Sequence, residues 1–374
     1  MIEREAIIVL NLLNGIGHTK YKALIANFGS ISSALSSSVG TLSKVNGIGE
    51  VLAERIHNWE ASTQLKKELD MVQRGGAKIY TIADDEYPTQ LKEISDPPLC
   101  LYVRGKLVAD FNNTIAIVGS RKMTSYGKEV CDSIVSSLAY AGWTVVSGLA
   151  MGIDGAAHQA VVNAKGVTVG VLGGGLVRFH PQEHIELARR MIDLGGGVIT
   201  EFPMEFSPTR RSFPMRNRII SGLSRGVLVV EAGTQSGALI TINFALEQNR
   251  QVFAIPGRIN NPSSQGCNKL IKNGAKLVES VDDIFEEFEF LPGFLPFDKN
   301  SAASQDLLPL QDAPAASLSD EEKKIVQLLE LEEKAVDSLA VQSAIPIGKL
   351  LALLQQLEVK RVIRQLPGKI YKLK

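Results

Sequence analysis

Between residues 114 and 290 the chain alternates between two hydrophobic periods. Short β-branched runs recur as TIAIV, TVVS, VTVGVL, GVIT, GVLVVE and QVFAIP. Nearly continuous apolar runs of this kind predict strands that are covered on both faces. Between them, 124–141, 154–165, 181–194, 213–224 and 236–249 carry apolar residues at helical spacing. Gly142, Gly166 and Gly195 stand where helix C-caps belong. The alternation predicts an α/β fold: an extended Rossmann-like parallel sheet with right-handed crossovers and helices on both faces. Ligands of such sheets bind beyond the carboxyl ends of the strands.

The flanks follow other patterns. Residues 1–66 hold two similar phrases, LNGIGHTKYKALIANFG (13–29) and VNGIGEVLAERIHNW (45–59). Each joins Gly-Ile-Gly to a helical period, which predicts a helical unit of the helix-hairpin-helix (SAM-like) type. The second phrase fits better, and Gly47 and Gly49 are candidate secondary DNA contacts through the helix N-terminus that follows them. Residues 67–113, with Pro88, Pro97 and Pro98, lead onto the sheet, so 67–290 is the expected central domain. A Pro- and Ser-bearing linker is expected over 291–318. Helical patterns at 320–331, 336–342 and 346–357, then two short strands about a Pro-Gly turn, predict a winged-helix-like unit over 319–374.

Composition narrows the class. The 374 residues exceed one ordinary domain. Hydrophobic residues at 45% and charged residues at 21% suit a soluble globular protein. No run approaches the roughly 18 apolar residues of a membrane span. The acid-bearing N-terminus does not read as a signal peptide. Cys100, Cys131 and Cys267 are far apart without metal-type spacing, which fits reduced thiols in a cytoplasmic protein. The 40 basic and 40 acidic residues cancel, so any polyanion site needs local positive charge.

That charge is concentrated. Residues 204–226 hold Arg210, Arg211, Arg216, Arg218 and Arg225 against the single acid Glu205. Arg121 and Lys122 come from GSRKMT, the loop after the first strand of the alternation. Arginine offers planar bidentate donors to phosphate, and Phe213 among the arginines suits stacking on unpaired bases. Five loops crowd the same sheet edge: GSRKMT, SGLAMGIDGAAH, GGGLVRFHP, TRRSFPMRNR and EAGTQSGALIT. Their glycines, Gly148 and Gly237 among them, with Ser236 beside them, would let backbone amides approach an anion. The dinucleotide fingerprint and the Walker A pattern are both absent, so no nucleotide cofactor is expected. His158, His180 and His184 lack a clear third partner, so no metal is expected.

The motifs GSR (119–121), SGLAMGIDGAAH (147–158), FPMRNRIISGLS (213–224), EAGTQSGALIT (231–241) and FAIPGRINNPSSQGCNKLIKNGA (253–275) resemble the DNA-processing protein A (DprA/Smf) family. The resemblance implies a single-stranded DNA-binding recombination mediator. It would load RecA recombinase onto incoming DNA, displace single-strand-binding protein and act in natural transformation, without catalysis. It also implies that Gly119, Ser120 and Arg121 hold a phosphate, with Arg216, Asn217 and Arg218 in the same groove and Phe213 nearby. A homodimer is implied through the region of Leu270, Ile271 and Leu277. One departure is His180, which stands where the family usually has a tyrosine before proline. The rival is a nucleoside-monophosphate hydrolase, but such enzymes carry P-G-G-x-G-T-x-x-E. Here the loop runs Glu231 to Thr241 without the second acid.

Overall fold

The computed structural model describes residues 1–107, 112–289, 319–329, 333–343, 345–359, 362–366 and 370–373. The expected linker 291–318, the Pro-Gly turn and Lys360, Arg361, Lys369 and Lys374 of the basic tail lie outside the described residues. The chain forms two compact units, Met1–Asp298 and Lys299–Lys374.

The first unit opens with α1 (Glu3–Leu12), α2 (His18–Phe28), α3 (Ile31–Leu35), α4 (Val39–Leu42), α5 (Glu50–His57), α6 (Trp59–Ser62) and α7 (Leu65–Arg74). Next come β1 (Ala77–Thr81), α8 (Thr89–Lys92) and β2 (Cys100–Gly105). The alternating part is β3 (Thr114–Val118), α9 (Ser125–Tyr140), β4 (Thr144–Ser147), α10 (Ile153–Asn163), β5 (Thr168–Val171), α11 (Ile185–Asp193), β6 (Gly197–Thr200), α12 (Ser212–Gly222), β7 (Gly226–Val229), α13 (Ala238–Glu247), β8 (Gln251–Ala254), α14 (Gln265–Lys272), β9 (Lys276–Leu277) and α15 (Asp282–Phe288). Each helical pattern of the sequence becomes one of these helices.

One nine-stranded sheet results, in the order β1-β2-β6-β5-β4-β3-β7-β8-β9. Strands β3 to β9 pair in parallel, and β2 joins β6 antiparallel with β1 outside it. The chain winds from β3 out to β6, then returns to lay β7 on the other side of β3. At that reversal the connections leaving β3 and β7 diverge and open a crevice.

Side-chain alternation explains why both faces are apolar. Ala116 and Val118 of β3 and Val227 and Val229 of β7 pack with Ile219, Ile220 and Ile242 of α12 and α13. Ile115, Ile117 and Leu228 turn the other way, onto Val135 and Leu138 of α9 and Val161 of α10. Ile7, Ile8 and Leu10 of α1 share a core with Ile79, Tyr102 and Val198, so the N-terminal helices are seated on the β1–β2–β6 end of the sheet. All three cysteines are buried and free.

Two of the three expected C-cap glycines take the left-handed conformation, Gly142 at φ +76° and Gly195 at φ +90°. At the third the left-handed residue is Lys165, φ +56°. Gly166 is needed for a different reason: a Cβ there would stand 2.9 Å from that of Ala139.

The second unit contains helices Asp320–Leu329, Val336–Ser343 and Ile347–Val359 around buried Ile325, Leu339, Leu350 and Leu354. β11 (Ile363–Leu366) pairs antiparallel with β12 (Ile370–Leu373), and the two-residue β10 (Lys334–Ala335) pairs with the other side of β12. This is a winged helix. Among the described residues no single helix is long and apolar enough to cross a membrane.

Candidate nucleic-acid interface

A cleft of about 890 Å³ lies over the β3/β7 reversal. Its walls are the loop after β3, the start of α12, the loop after β7 and the segment entering α14.

Hydrogen bonds set the shape of the first loop. Ser120 donates its backbone N–H to the Glu231 carbonyl at 2.7 Å. Its hydroxyl accepts from Lys122 N (3.1 Å) and donates to Lys122 O (3.0 Å). Thr124 N-caps α9, with Oγ1 accepting from Gly127 N at 3.0 Å. The buried Glu231 carboxylate accepts from Thr124 N (2.9 Å) and Thr124 Oγ1 (2.7 Å). Gly127 has no Cβ because one would meet that carboxylate at 2.3 Å. The turn is thus tied down at both ends while Arg121 and Lys122 remain exposed at its tip.

The Arg121 guanidinium lies 5.5 Å from the centroid of the Phe213 ring. His180 sits on the same ring, centroids 6.0 Å apart and tilted by 55°. This imidazole therefore supplies an aromatic neighbour to Phe213. Arg121, Lys122 and Arg210 line the cleft, and none of them forms an ion pair among the described residues.

The floor is a buried pair. Arg216 donates through Nη1 to the carbonyls of Gly148 (2.6 Å) and Val171. Asp154 accepts from the backbone amides of Ala150 and Gly148. Burial pushes the Asp154 carboxyl above the usual carboxylate range, with Arg216 pulling it back. Burial also lowers the Arg216 guanidinium to about 10, so it keeps its charge at neutral pH.

The glycines at the strand ends serve mainly to let loop pack on loop, which corrects the expectation that they cradle an anion. A Cβ on Gly148 would stand 2.6 Å from Asp154 Oδ2. One on Gly152 (φ +84°) would stand 2.2 Å from the Ser120 carbonyl, and one on Gly173 2.8 Å from Phe213. Gly237 alone of the sequence-derived glycines here faces open space.

Gly119, Ser120, Arg121, Lys122, Phe213, Arg216, Asn217, Ser236 and Gly237 all line the cleft. Gly148 lies beneath it, as the acceptor for Arg216. Arg211 is exposed at the start of α12 but is not part of the wall. Arg218 is the main correction. Its guanidinium is 8% exposed and bidentate to Glu201 at 2.5 and 2.6 Å, with Nε donating to Asp96 O at 2.8 Å. It is a buried ion pair on the other side of α12. Arg225 bonds Asn112 at 3.0 Å beside the amino end of β3.

The histidines do not form a metal site. His158 Nδ1 is 2.7 Å from Thr168 Oγ1, and His184 Nδ1 donates to the Leu149 carbonyl at 2.8 Å. Among the described residues no group of three or more His, Cys, Asp or Glu is placed to hold a metal.

Gly47 and Gly49 precede α5, whose first turn carries the exposed acid Glu50. A carboxylate there competes with a phosphate for the helix N-terminus, so the charge at this hairpin opposes the expected DNA contact. Leu270 and Ile271 pack inward against the core, and only Leu277, 39% exposed on edge strand β9, faces outward. Arg210, Asp154, Gln235 and Gln265 of the cleft were not among the candidates from sequence. Arg210 was visible in the charge cluster, and Asp154 in the ID of SGLAMGIDGAAH. The glutamines carry no sequence signal of their own.

A doubly wound sheet with a cation-lined crevice at its reversal defines a Rossmann-like protein. The family model of DNA recombination-mediator protein A matches residues 78–289, and that of the DprA winged helix domain matches 309–369. The chain belongs to the DNA recombination-mediator protein A family. It is 42% identical over 292 residues to Protein Smf of Escherichia coli K12, covering 76% of this chain and 75% of that one. It is 44% identical over 225 residues to DNA processing protein DprA of Bacillus subtilis, covering 60% and 75%. The X-ray structure of DprA from Streptococcus pneumoniae matches with TM-score 0.66 at 34% identity, over 78% of this chain and 99% of that one. A Helicobacter pylori DprA structure described for its single-stranded DNA binding mode matches with TM-score 0.50 at 26% identity, over 57% and 96%.

Proposed function

We propose that the cleft binds single-stranded DNA and that the chain is a recombination mediator. It would protect incoming strands in natural transformation, displace single-strand-binding protein and load RecA. Self-association through the β9 edge, where Leu277 is exposed, belongs to the same reading. The observation that carries it is the Arg121 guanidinium over the Phe213 ring at the cleft, 5.5 Å from its centroid, with Lys122 and Arg210 beside it in no ion pair among the described residues. Cations take phosphates and the ring takes a base face, a combination suited to single strands with little sequence preference. Binding is favoured over catalysis because the Asp154 carboxylate already accepts from two backbone amides, with the Arg216 charge nearby.

The test is fluorescence anisotropy with a labelled dT strand and a matched duplex across a salt series. The single strand is expected to bind more tightly. Arg121→Ala is expected to weaken binding and flatten the log–log salt slope by about 0.7, the release from one phosphate. Equal affinity for both DNA forms, or an unchanged slope, would remove the cleft from the account.

A further inference from the structure

The cleft has two unlike walls. One holds the cations Arg121, Lys122 and Arg210. The other is uncharged and built from Thr234, Gln235 and Ser236 after β7 and from Ser263 and Gln265 at the entry to α14. The side-chain amides of Gln235 and Gln265 make no hydrogen bond within the protein among the described residues.

This second wall is a built structure. Gly266 N donates to the Ala232 carbonyl at 2.8 Å, locking the start of α14 to the loop after β7. A Cβ on Gly266 would stand 2.6 Å from the same carbonyl oxygen, so the close approach needs glycine. Asn268 bridges back to Gly257 in both directions, accepting at 3.2 Å and donating at 2.9 Å. Ser263 N donates to Asn261 Oδ1 at 3.0 Å. These bonds within IPGRINNPSSQGCN fix the loop that carries Gln265 against the loop that carries Gln235.

We infer that this wall reads base edges, given the single-strand reading above. A strand in the cleft sets its phosphates against the arginines, where Coulomb attraction is strongest. Its bases then point across the cleft, one face toward Phe213 and their hydrogen-bonding edges toward Gln235 and Gln265. A glutamine amide offers one acceptor and two donors, which can match the exposed edge of an unpaired base. The protein therefore carries a modest base preference, set by these two side chains.

The experiment uses the full chain and labelled 12-mers of dT, dC and dA, plus an abasic 12-mer of equal charge. Wild type is expected to bind the abasic strand most weakly and to rank the three homopolymers over a range on the order of fivefold. In Gln235→Ala/Gln265→Ala the ranking should collapse to within about twofold while the salt slope stays that of wild type. Arg121→Ala should do the reverse, keeping the ranking and losing slope. Both glutamines are exposed, so the fold should survive. A double variant that keeps the ranking, or a wild type that does not rank the strands, overturns the inference and leaves the single-strand reading standing. A wild type that binds none of the strands removes both.

Discussion

Two regions of this protein share a local design, a glycine-bearing turn running into a helix, and differ in what surrounds it. At the cleft the turn 119–124 leads into α9 with Arg121, Lys122, Arg210 and Arg216 gathered around it. At the N-terminal hairpins, turns at Gly15–Gly17 and Gly47–Gly49 lead into α2 and α5. There acids and carbonyl-bound cations stand together. Glu50 opens α5, and Asp96 Oδ1 lies 3.7 Å from where a Cβ on Gly17 would be. Lys20 lies beside Gly47 and donates to the Gly15 carbonyl at 2.6 Å, and Arg55 donates to the Asn14 carbonyl at 3.1 Å. Glycine makes such a turn possible. The charges packed against it decide whether it can hold a phosphate or serves as a joint.

The largest effect that tests this contrast lies at the seat of the first hairpin. Arg218 ties Glu201 to Asp96, and Asp96 stands beside Gly17. Arg218→Met should leave Glu201 buried and uncompensated, at a cost of about 3–5 kcal/mol in a urea titration. Single-strand affinity and salt slope, measured where the variant is still folded, should match wild type. A stable variant with a reduced slope would put Arg218 back among the phosphate ligands.

Arg216 and Arg218 also show where the sequence is legible and where it is not. The strands could be read because each is a β-branched run buried on both faces, and the helices because their apolar faces repeat. Strand β10 has two residues, too few for any period. Counting arginines over 204–226 overstated the cleft's charge, since positions two apart on a helix diverge by about 200° and so face opposite sides. Arg216 therefore reaches the cleft floor while Arg218 reaches Glu201. Nor could the sequence announce that Ser120 would spend its amide on the Glu231 carbonyl, a partner 111 residues away in the numbering. Local pattern finds elements and loops. Which polar groups remain unspent is a tertiary property.

Helix α10, which carries Asp154 of the cleft floor, also holds a buried titratable group. His158 is fully buried on α10, and burial, then the nearby His184 and Arg216, lower its pKa to about 3. Its folded pKa lies below the ordinary 6.5, so the unfolded chain binds the proton more readily. This contribution to stability is complete above the ordinary value and is lost as pH falls from about 6.5 toward 3. One proton sets a slope of up to about 1.4 kcal/mol per pH unit. Urea midpoints between pH 7 and pH 4.5 should fall for wild type and fall less steeply for His158→Gln. Parallel profiles would mean that other groups carry the acid sensitivity.

The smallest effect is the most discriminating for the hairpins. Glu50 is exposed in the first turn of α5, where its carboxylate favours the helix N-terminus by about 0.3–1 kcal/mol. Glu50→Ala should cost the fold no more than that. The consequence for DNA depends on what the hairpin does. If Gly47 and Gly49 present backbone amides to a phosphate, removing a negative charge at that spot must strengthen binding and steepen the salt slope, because an anion enters where a carboxylate had repelled it. If the hairpin is a joint, the same substitution leaves affinity and slope untouched, since the strand never comes near. The acids at the start of α5 and beside Gly17 support the second outcome. Paired anisotropy titrations of wild type and Glu50→Ala on one dT strand would decide it, and a steeper slope in the variant would make the hairpin a second DNA contact.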